Sequence, residues 1–446
     1  MRGEDLKAAW LAEWDAATKS FDDGKQEEAE KRLANCCRLS PETWAGIGME
    51  CLKEDDHNAA LRRFHEALHF SKNPRTRAIC LNNIGTVLSN YGRRDDSWSW
   101  FHASIKEFPS YPDPYANIGL CYKWAGDIGH ALEWIDKALD LNPHHQQAAF
   151  TRAITLLLAG RMKEGWEAYE SRWRMRGHGM RKLEVPWPEW NGTNGKRILV
   201  YGEQGVGDNL QMMRYAGVMR ERGLEVQALV RKPIQAAFEH SGLFAKVSEI
   251  TEPFSNFDAH ISAFSLPRVM GTTLDNIPYP DGYIPKPPLS EVMEYGPGLN
   301  VGIFWAGAIE YKQNIFRSTH LKQWRDVLNV PGIAWHSLQV GPGEDEALLF
   351  PQVKRYPRPD DYLETARRIA GLDLVITVDT GLAHLVGAMG VPVWILIPHG
   401  GDFRWLLDRD DSPWYSSARL FRAKADFEWG PAFEKITTAL EQKVKL

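Results

Sequence analysis

The chain has 446 residues, 43% of them hydrophobic and 25% charged, with a formal net charge of −5. That length divides into two or three domains with ample core, and the composition is that of an ordinary globular protein, not a disordered or fibrous one. The charge balance carries no overall signature for nucleic acid or an anionic membrane, and no apolar run reaches the roughly 18 residues of a membrane span. The first residues, Met1-Arg2-Gly3-Glu4-Asp5-Leu6-Lys7, lack the apolar stretch of a signal peptide. Cys36, Cys37, Cys51, Cys80 and Cys121 form no CxxC pair, which reads as reduced, buried thiols in a cytoplasmic protein.

From about Trp10 to Arg172 the pattern is helical and it repeats. With Gly48, Gly85 and Gly119 aligned, a small residue follows each twelve positions on: Ala60, Ser97 and Ala131. Four further on stands a large apolar residue (Phe64, Phe101, Ile135), and three beyond that another small one (Ala67, Ser104, Ala138). Turn prolines follow at Pro109 and Pro143. Ala29, Leu33 and Pro41 before, and Ala153, Leu156, Gly165 and Tyr169 after, mark weaker copies. This arrangement resembles the tetratricopeptide repeat, five copies with atypical outer ones, in which small residues let paired helices pack closely. Those positions read as packing, and any function falls to the concave face.

Between Met175 and Lys196 the pattern breaks at Arg176-Gly177-His178-Gly179 and again at Val185-Pro186-Trp187-Pro188, where two prolines exclude a helix. Arg197-Ile198-Leu199-Val200-Tyr201 then reads as a buried strand. A Gly-rich loop follows from Gly202 to Asp208, then a helix from Asn209 to about Arg222 and a second strand up to Val230. This order is βαβ and implies a parallel, doubly wound sheet. The loop spacing is not GxGxxG, and no acidic ribose partner ends the second strand, so a nicotinamide cofactor is not expected. Strand carboxyl ends carry the sites of such sheets, which places Asp208 toward a cleft; capping of the next helix is its alternative role. Asp258 to Ser262 reads as a further strand.

Pro285-Lys286-Pro287-Pro288 reads as a linker to a second α/β unit. Its strands are Leu299–Trp305, Ile333–Gln339, Leu374–Val378 and Val393–Pro398, with a helix from Asp361 to Ala370. The loop after the first of these carries two cations, Lys312 and Arg317, as neutralisation of a diphosphate requires. The stretch Leu374-Val375-Ile376-Thr377-Val378 runs through Asp379-Thr380-Gly381 into a helix containing His384. Such a strand-to-helix elbow presents free N–H groups and a helix dipole to an anion. Asp408-Arg409-Asp410 reads as a solvated loop.

Taken together, Glu203-Gln204-Gly205-Val206-Gly207-Asp208, Phe304-Trp305-Ala306-Gly307, Arg317-Ser318, Asp379-Thr380-Gly381-Leu382-Ala383-His384 and Asp411-Ser412-Pro413-Trp414-Tyr415 resemble the GT-B glycosyltransferases of the heptosyltransferase-like type. With the repeats in front, the chain is similar to bacterial tetratricopeptide–glycosyltransferase fusions and, more loosely, to protein O-GlcNAc transferases. The resemblance implies a tetratricopeptide solenoid over 1–175, a first GT-B lobe over 176–296 on the acceptor side, and a donor-side lobe with a C-terminal helix over 297–446. It implies inverting transfer of a sugar from a nucleotide-diphosphate donor, with no metal and no other cofactor.

Asp208 is then the general base, within a loop that includes Gln204, Gly205 and Gly207. Lys312, Arg317, Asp379, Thr380, Gly381 and His384 hold the donor diphosphate, and Gln339 and Glu344 touch the nucleoside; His384 also fits a structural first-turn histidine. Asn314-Ile315-Phe316 before Arg317 departs from the polar and basic run of the relatives and is expected to reshape the donor or acceptor pocket. Expected partners are a nucleotide sugar and an acceptor protein or glycan docking on the concave face, with nucleic acid disfavoured. Two other readings stay open: an interaction scaffold with a degenerate transferase region, and a GT-B-like sugar-nucleotide epimerase.

Overall fold

The computed structural model describes residues 3–175, 181–249, 256–309, 311, 313–341 and 343–445. It divides into two compact units, one of residues 1–123 and 127–151, the other of 124–126 and 152–446.

Among the described residues the first part of the chain holds ten α-helices: α1 (Gly3–Asp22), α2 (Gln26–Leu39), α3 (Pro41–Lys53), α4 (His57–Phe70), α5 (Pro74–Asn90), α6 (Arg94–Glu107), α7 (Asp113–Trp124), α8 (Ile128–Leu141), α9 (Gln146–Leu158) and α10 (Met162–Tyr169). They are five successive helical hairpins, a tetratricopeptide-type array. The aligned glycines and large residues meet as the repeat requires. A Cβ built on Gly48 would lie 2.8 Å from the Phe64 ring, on Gly85 2.7 Å from Phe101, and on Gly119 2.6 Å from Ile135. Phe64, Phe101 and Ile135 are fully buried, each worth about 1.5–3 kcal/mol of transfer free energy. Asp56 and Asp127 start α4 and α8 by accepting the Ala59 and His130 backbone N–H at 2.9 and 3.1 Å. The hairpin turns pass through left-handed residues, Gly24, Gly92, Gly126 and Gly160, with Asp55 in the corresponding place at φ 59°.

In the second unit, a short 3₁₀ turn (Glu170–Arg174) precedes the first sheet. That lobe comprises β1 (Arg197–Tyr201), α11 (Val206–Met212), α12 (Tyr215–Glu221), β2 (Glu225–Val230), α13 (Lys232–Ser241), β3 (Lys246–Glu249), β4 (Ala259–Ser262) and α14 (Leu266–Val269). The sheet is parallel throughout, in the order β3-β2-β1-β4. The connecting segment contributes to it, since Trp190 N–H donates to the His260 carbonyl and His260 N–H to that of Pro188. Residues 176–179, read above as a loop, lie outside the described residues. The helix expected from Asn209 to Arg222 begins earlier, at Val206, and is two helices. It breaks where the buried Arg214 turns its Nε–H back onto the Gln211 carbonyl, 2.9 Å away.

The second lobe comprises β5 (Leu299–Phe304), α15 (Asn314–Arg317), α16 (Arg325–Leu328), β6 (Ile333–Ser337), β7 (Val353–Lys354), α17 (Tyr362–Ile369), β8 (Leu374–Val378), α18 (Gly381–Ala388), β9 (Val393–Ile397), β10 (Ala418–Arg422) and α19 (Gly430–Val444). Its parallel sheet runs β10-β9-β8-β5-β6-β7. Every residue of β8 and β9 is buried, as in strands covered on both faces. Two Rossmann-like lobes in succession after a helical repeat array are the tetratricopeptide plus GT-B architecture. No helix of the described residues is long and apolar enough to cross a membrane.

Candidate functional site

Open parallel sheets bind ligands where strand order reverses, in the crevice beyond the strand carboxyl ends. In the first sheet the reversal lies between β1 and β4, and β1 leads into Gly202–Asp208. In the second it lies between β5 and β8. Those strands lead into the loop ending at Arg317 and into the Asp379-Thr380-Gly381 elbow.

The two switch points meet. A Cβ on Gly207 would stand 2.9 Å from Gly381 Cα and 2.8 Å from His384 Cδ2, so α11 and α18 cross with glycine against glycine. Beside this crossing Asp208 caps the helix it belongs to and pairs with the second lobe. Its Oδ2 accepts the Gly205 N–H at 2.7 Å, capping α11, and its Oδ1 accepts Arg404 Nη2 from the other lobe. Arg404 also donates to Asp402 Oδ1 at 2.7 Å and to Gln211 Oε1 at 2.9 Å. Its guanidinium lies over the Phe403 ring at 4.3 Å. Burial raises the Asp208 pKa above the usual carboxylate value; Arg404 and the Gly205 amide oppose that, while Asp402 and Glu203 add to it. The side chain keeps 22% of its surface accessible, so it is desolvated yet reachable.

On the second lobe, Arg317 Nη1 donates to the Asp379 carbonyl at 2.9 Å, and its guanidinium covers the Tyr311 ring at 4.3 Å. Burial, then Asp402, lifts the Asp379 carboxyl to about 6 against the pull of Arg317. Thr380 is the N-cap residue of α18, and among the described residues its buried hydroxyl caps nothing and has no partner. Lys312 lies outside the described residues.

His384 is buried within the fold. Its Nδ1 lies 3.0 Å from the Tyr415 hydroxyl, and its ring stacks on Trp405 at 5.4 Å. Burial, with Arg404, Arg214 and Arg317 nearby, holds its pKa well below the usual histidine value, so a neutral imidazole occupies the lobe crossing. The Gln339 amide is engaged by the β5 loop: its Oε1 accepts Trp305 and Ala306 N–H at 2.9 and 3.0 Å, and its Nε2 donates to the Ala306 carbonyl at 2.8 Å. Glu344 accepts the Gly341 N–H at 3.3 Å. Beside it, Gln339, Glu344, Arg355, Arg358 and Arg368 line a small cavity of about 40 Å³. Phe316 is buried against Phe427, with ring centroids 5.3 Å apart, while its neighbour Ile315 is 45% exposed; Phe316 thus anchors α15. Arg409 pairs with Asp411 at 2.6 Å in an exposed turn. Among the described residues no group of three or more His, Cys, Asp and Glu side chains is arranged to hold a metal ion.

Sequence reasoning missed Arg404, Asp402 and Arg214. Arg404 follows Gly400-Gly401-Asp402 in the loop after β9, the same kind of post-strand position that singled out Asp208. Arg214 is wholly buried and reaches across the lobes, its Nη1 donating to the Trp414 carbonyl at 2.8 Å and to that of Pro278 at 3.2 Å. The Asp411–Tyr415 motif thus joins the lobes.

No family model matches the chain. FlbA of Caulobacter vibrioides is 26% identical over 423 residues, 85% of this chain and 70% of FlbA. A mutant of the Thermobaculum terrenum O-GlcNAc transferase aligns over 91% of this chain and 92% of its own, at 12% identity and TM-score 0.37. The E. coli heptosyltransferase WaaC with ADP-2-deoxy-2-fluoro heptose aligns over 56% of this chain and 99% of its own, at 15% identity and TM-score 0.38.

Proposed function

We propose that this protein is an inverting, metal-independent glycosyltransferase that moves a sugar from a nucleotide-diphosphate donor to an acceptor hydroxyl. One observation carries the proposal: a desolvated, accessible carboxylate beyond the carboxyl end of β1 pairs with Arg404 of the other lobe, next to the point where Gly207 meets Gly381 at the N-terminus of α18. Asp208 takes the acceptor proton as the hydroxyl attacks the anomeric carbon, opposite the departing diphosphate. A base whose pKa is lifted toward neutrality suits that step. Arg317, Lys312 and the N-terminus of α18 offset the charge developing on the leaving group. Arg404 holds the Asp208 carboxylate in place, and the acceptor hydroxyl replaces it on Oδ1. Arginine in these positions supplies the positive charge that a divalent ion supplies to other nucleotide-sugar enzymes. The repeat array recruits the acceptor, a protein or a glycan, on its concave face.

The test is a transfer and donor-hydrolysis screen across nucleotide sugars with the wild-type chain and Asp208→Asn. The variant is expected to lose 10²–10⁴-fold in rate, in the range for removal of a general base, while still binding the nucleoside diphosphate. Normal turnover by the variant would remove Asp208 from the role. If the wild type neither turns over nor binds any nucleoside diphosphate, the scaffold reading replaces this one. Free epimerised sugar released without acceptor would identify an epimerase.

A further inference from the structure

The Asp208 loop is gripped from behind by residues that precede the first sheet. Gln204 occupies the left-handed region at φ 61°, a conformation that side chains with a Cβ disfavour. Its amide is held by the Tyr169 hydroxyl, with Nε2 donating at 3.1 Å. The preceding residue, Glu203, is held harder. Arg172, with no exposed surface, donates from Nε to both Glu203 carboxylate oxygens at 3.2 and 3.0 Å and from Nη2 at 2.9 Å. The same guanidinium reaches Ser265 at 2.8 Å, Ser262 at 3.3 Å and Glu170 at 2.8 Å. Ser262 in turn donates to Glu203, so the β4 end joins the same network.

A buried ion pair is a poor device for stability alone, because apolar groups of the same volume serve as well or better, and its best-attested use is to fix one arrangement against others. Here what is fixed is the loop. Two consecutive residues, clamped in place, lead directly into Gly205, whose N–H meets Asp208. Tyr169 itself is set by ring stacking on Phe264, 5.4 Å between centroids at 23°, so the hydroxyl is delivered from a packed ring.

We propose that Tyr169 and Arg172 are positioning residues that hold the Glu203-Gln204 turn, and through it the Asp208 carboxylate, in the geometry of the lobe crossing. The inference rests on Asp208 acting as the base, but the clamp itself is tested without that assumption. Arg172 variants leave Glu203 buried and unpaired, so the test uses Tyr169→Phe, which keeps the ring and removes only the hydroxyl. Gln204→Ala breaks the same bond from the loop side and stands in if Tyr169→Phe fails to fold.

Two readouts are taken on the full-length chain. Amide hydrogen exchange over residues 202–208 is expected to speed up about tenfold in either variant, the scale of one lost hydrogen bond. In the transfer assay, kcat of Tyr169→Phe is expected to fall about tenfold with donor KM within about twofold, since donor groups lie on the other lobe. Adding Gln204→Gly to Tyr169→Phe is expected to restore most of kcat, because glycine adopts the left-handed turn without a clamp. Wild-type exchange and wild-type kcat in Tyr169→Phe would overturn the proposal. So would a loss of kcat that Gln204→Gly does not restore, or an effect confined to KM; both mark a packing residue. If the wild type turns over no donor, the proposed function fails while the exchange measurement still decides the clamp.

Discussion

Gly207→Ala tests the lobe crossing most directly. The added methyl would stand 2.9 Å from Gly381 Cα, 3.3 Å from Gly381 N and 2.8 Å from His384 Cδ2. Ordinary carbon contacts begin near 3.5 Å, so α11 and α18 must part by about half an ångström or more. The neighbours cannot give way separately: Gly381 contributes backbone, and His384 is held between Trp405 and Tyr415. Overpacking of this kind costs about 1–3 kcal/mol. For a unit of about 300 residues that lowers the thermal midpoint by roughly 2–5 °C. The displacement also moves Asp208 away from the second lobe; in the proposed reaction a misplacement of about 1 Å costs on the order of 10²-fold in rate. Calorimetry and the transfer assay read the two effects. Gly46→Ala is the control, because an added Cβ there meets nothing within 4 Å on an exposed face of α3. It should stabilise the array by about 0.5–1 kcal/mol. A Gly207→Ala protein with wild-type midpoint and rate would refute the close crossing.

Gly119→Ala should destabilise the array by about 1–3 kcal/mol, since its methyl would meet the Ala131 carbonyl at 3.0 Å and the Ile135 nitrogen at 3.1 Å, both backbone; chemical denaturation followed by circular dichroism measures it. Arg404→Gln removes the charge that lowers the Asp208 pKa, so the acid limb of the pH–rate profile should move to higher pH; an unmoved limb would separate Arg404 from the base. Asp379, raised from 3.8 to about 6, holds a proton in the folded state that the unfolded chain has released. Its contribution to stability therefore falls as pH rises from about 4 to 6, by at most about 3 kcal/mol. Asp379→Asn should flatten that part of the stability–pH curve in denaturant titrations. A nucleoside diphosphate at 100 times its Kd should stabilise the α/β unit by about 2.7 kcal/mol, visible as an upward thermal shift that Arg317→Ala diminishes.

Much of the fold is legible in the chain because it rests on short-range regularities. The helix-pair contacts from Gly48 to Phe64 and from Gly85 to Phe101 span sixteen residues, so spacing alone discloses them. Buried parallel strands declare themselves as apolar runs, and the loops beyond their carboxyl ends include the Asp208 loop and the Asp379 elbow, which the fold brings together at Gly207 and Gly381. The resemblance motifs were less transparent. Asp411–Tyr415 appears in the chain as a signature, yet in the fold its Trp414 carbonyl and Tyr415 hydroxyl serve Arg214 and His384.

The repeat helices, the strands β1, β2, β4, β5, β6, β8 and β9 and the loops after β1, β5 and β8 were thus legible in the sequence alone, since periodicity and turn chemistry act within a few residues of their cause; the short β3 and β7, and β10, were not. What surrounds Asp208 was decided only by tertiary structure. Arg404 reaches it from 196 positions away, and Arg214 meets Trp414 across 200. Such pairs leave no mark in spacing, because nothing in the sequence around either partner says which distant residue it will meet. Lobe docking brings them within hydrogen-bonding reach, and burial there shifts their charges; both are properties of the assembled α/β unit and of no single stretch within it.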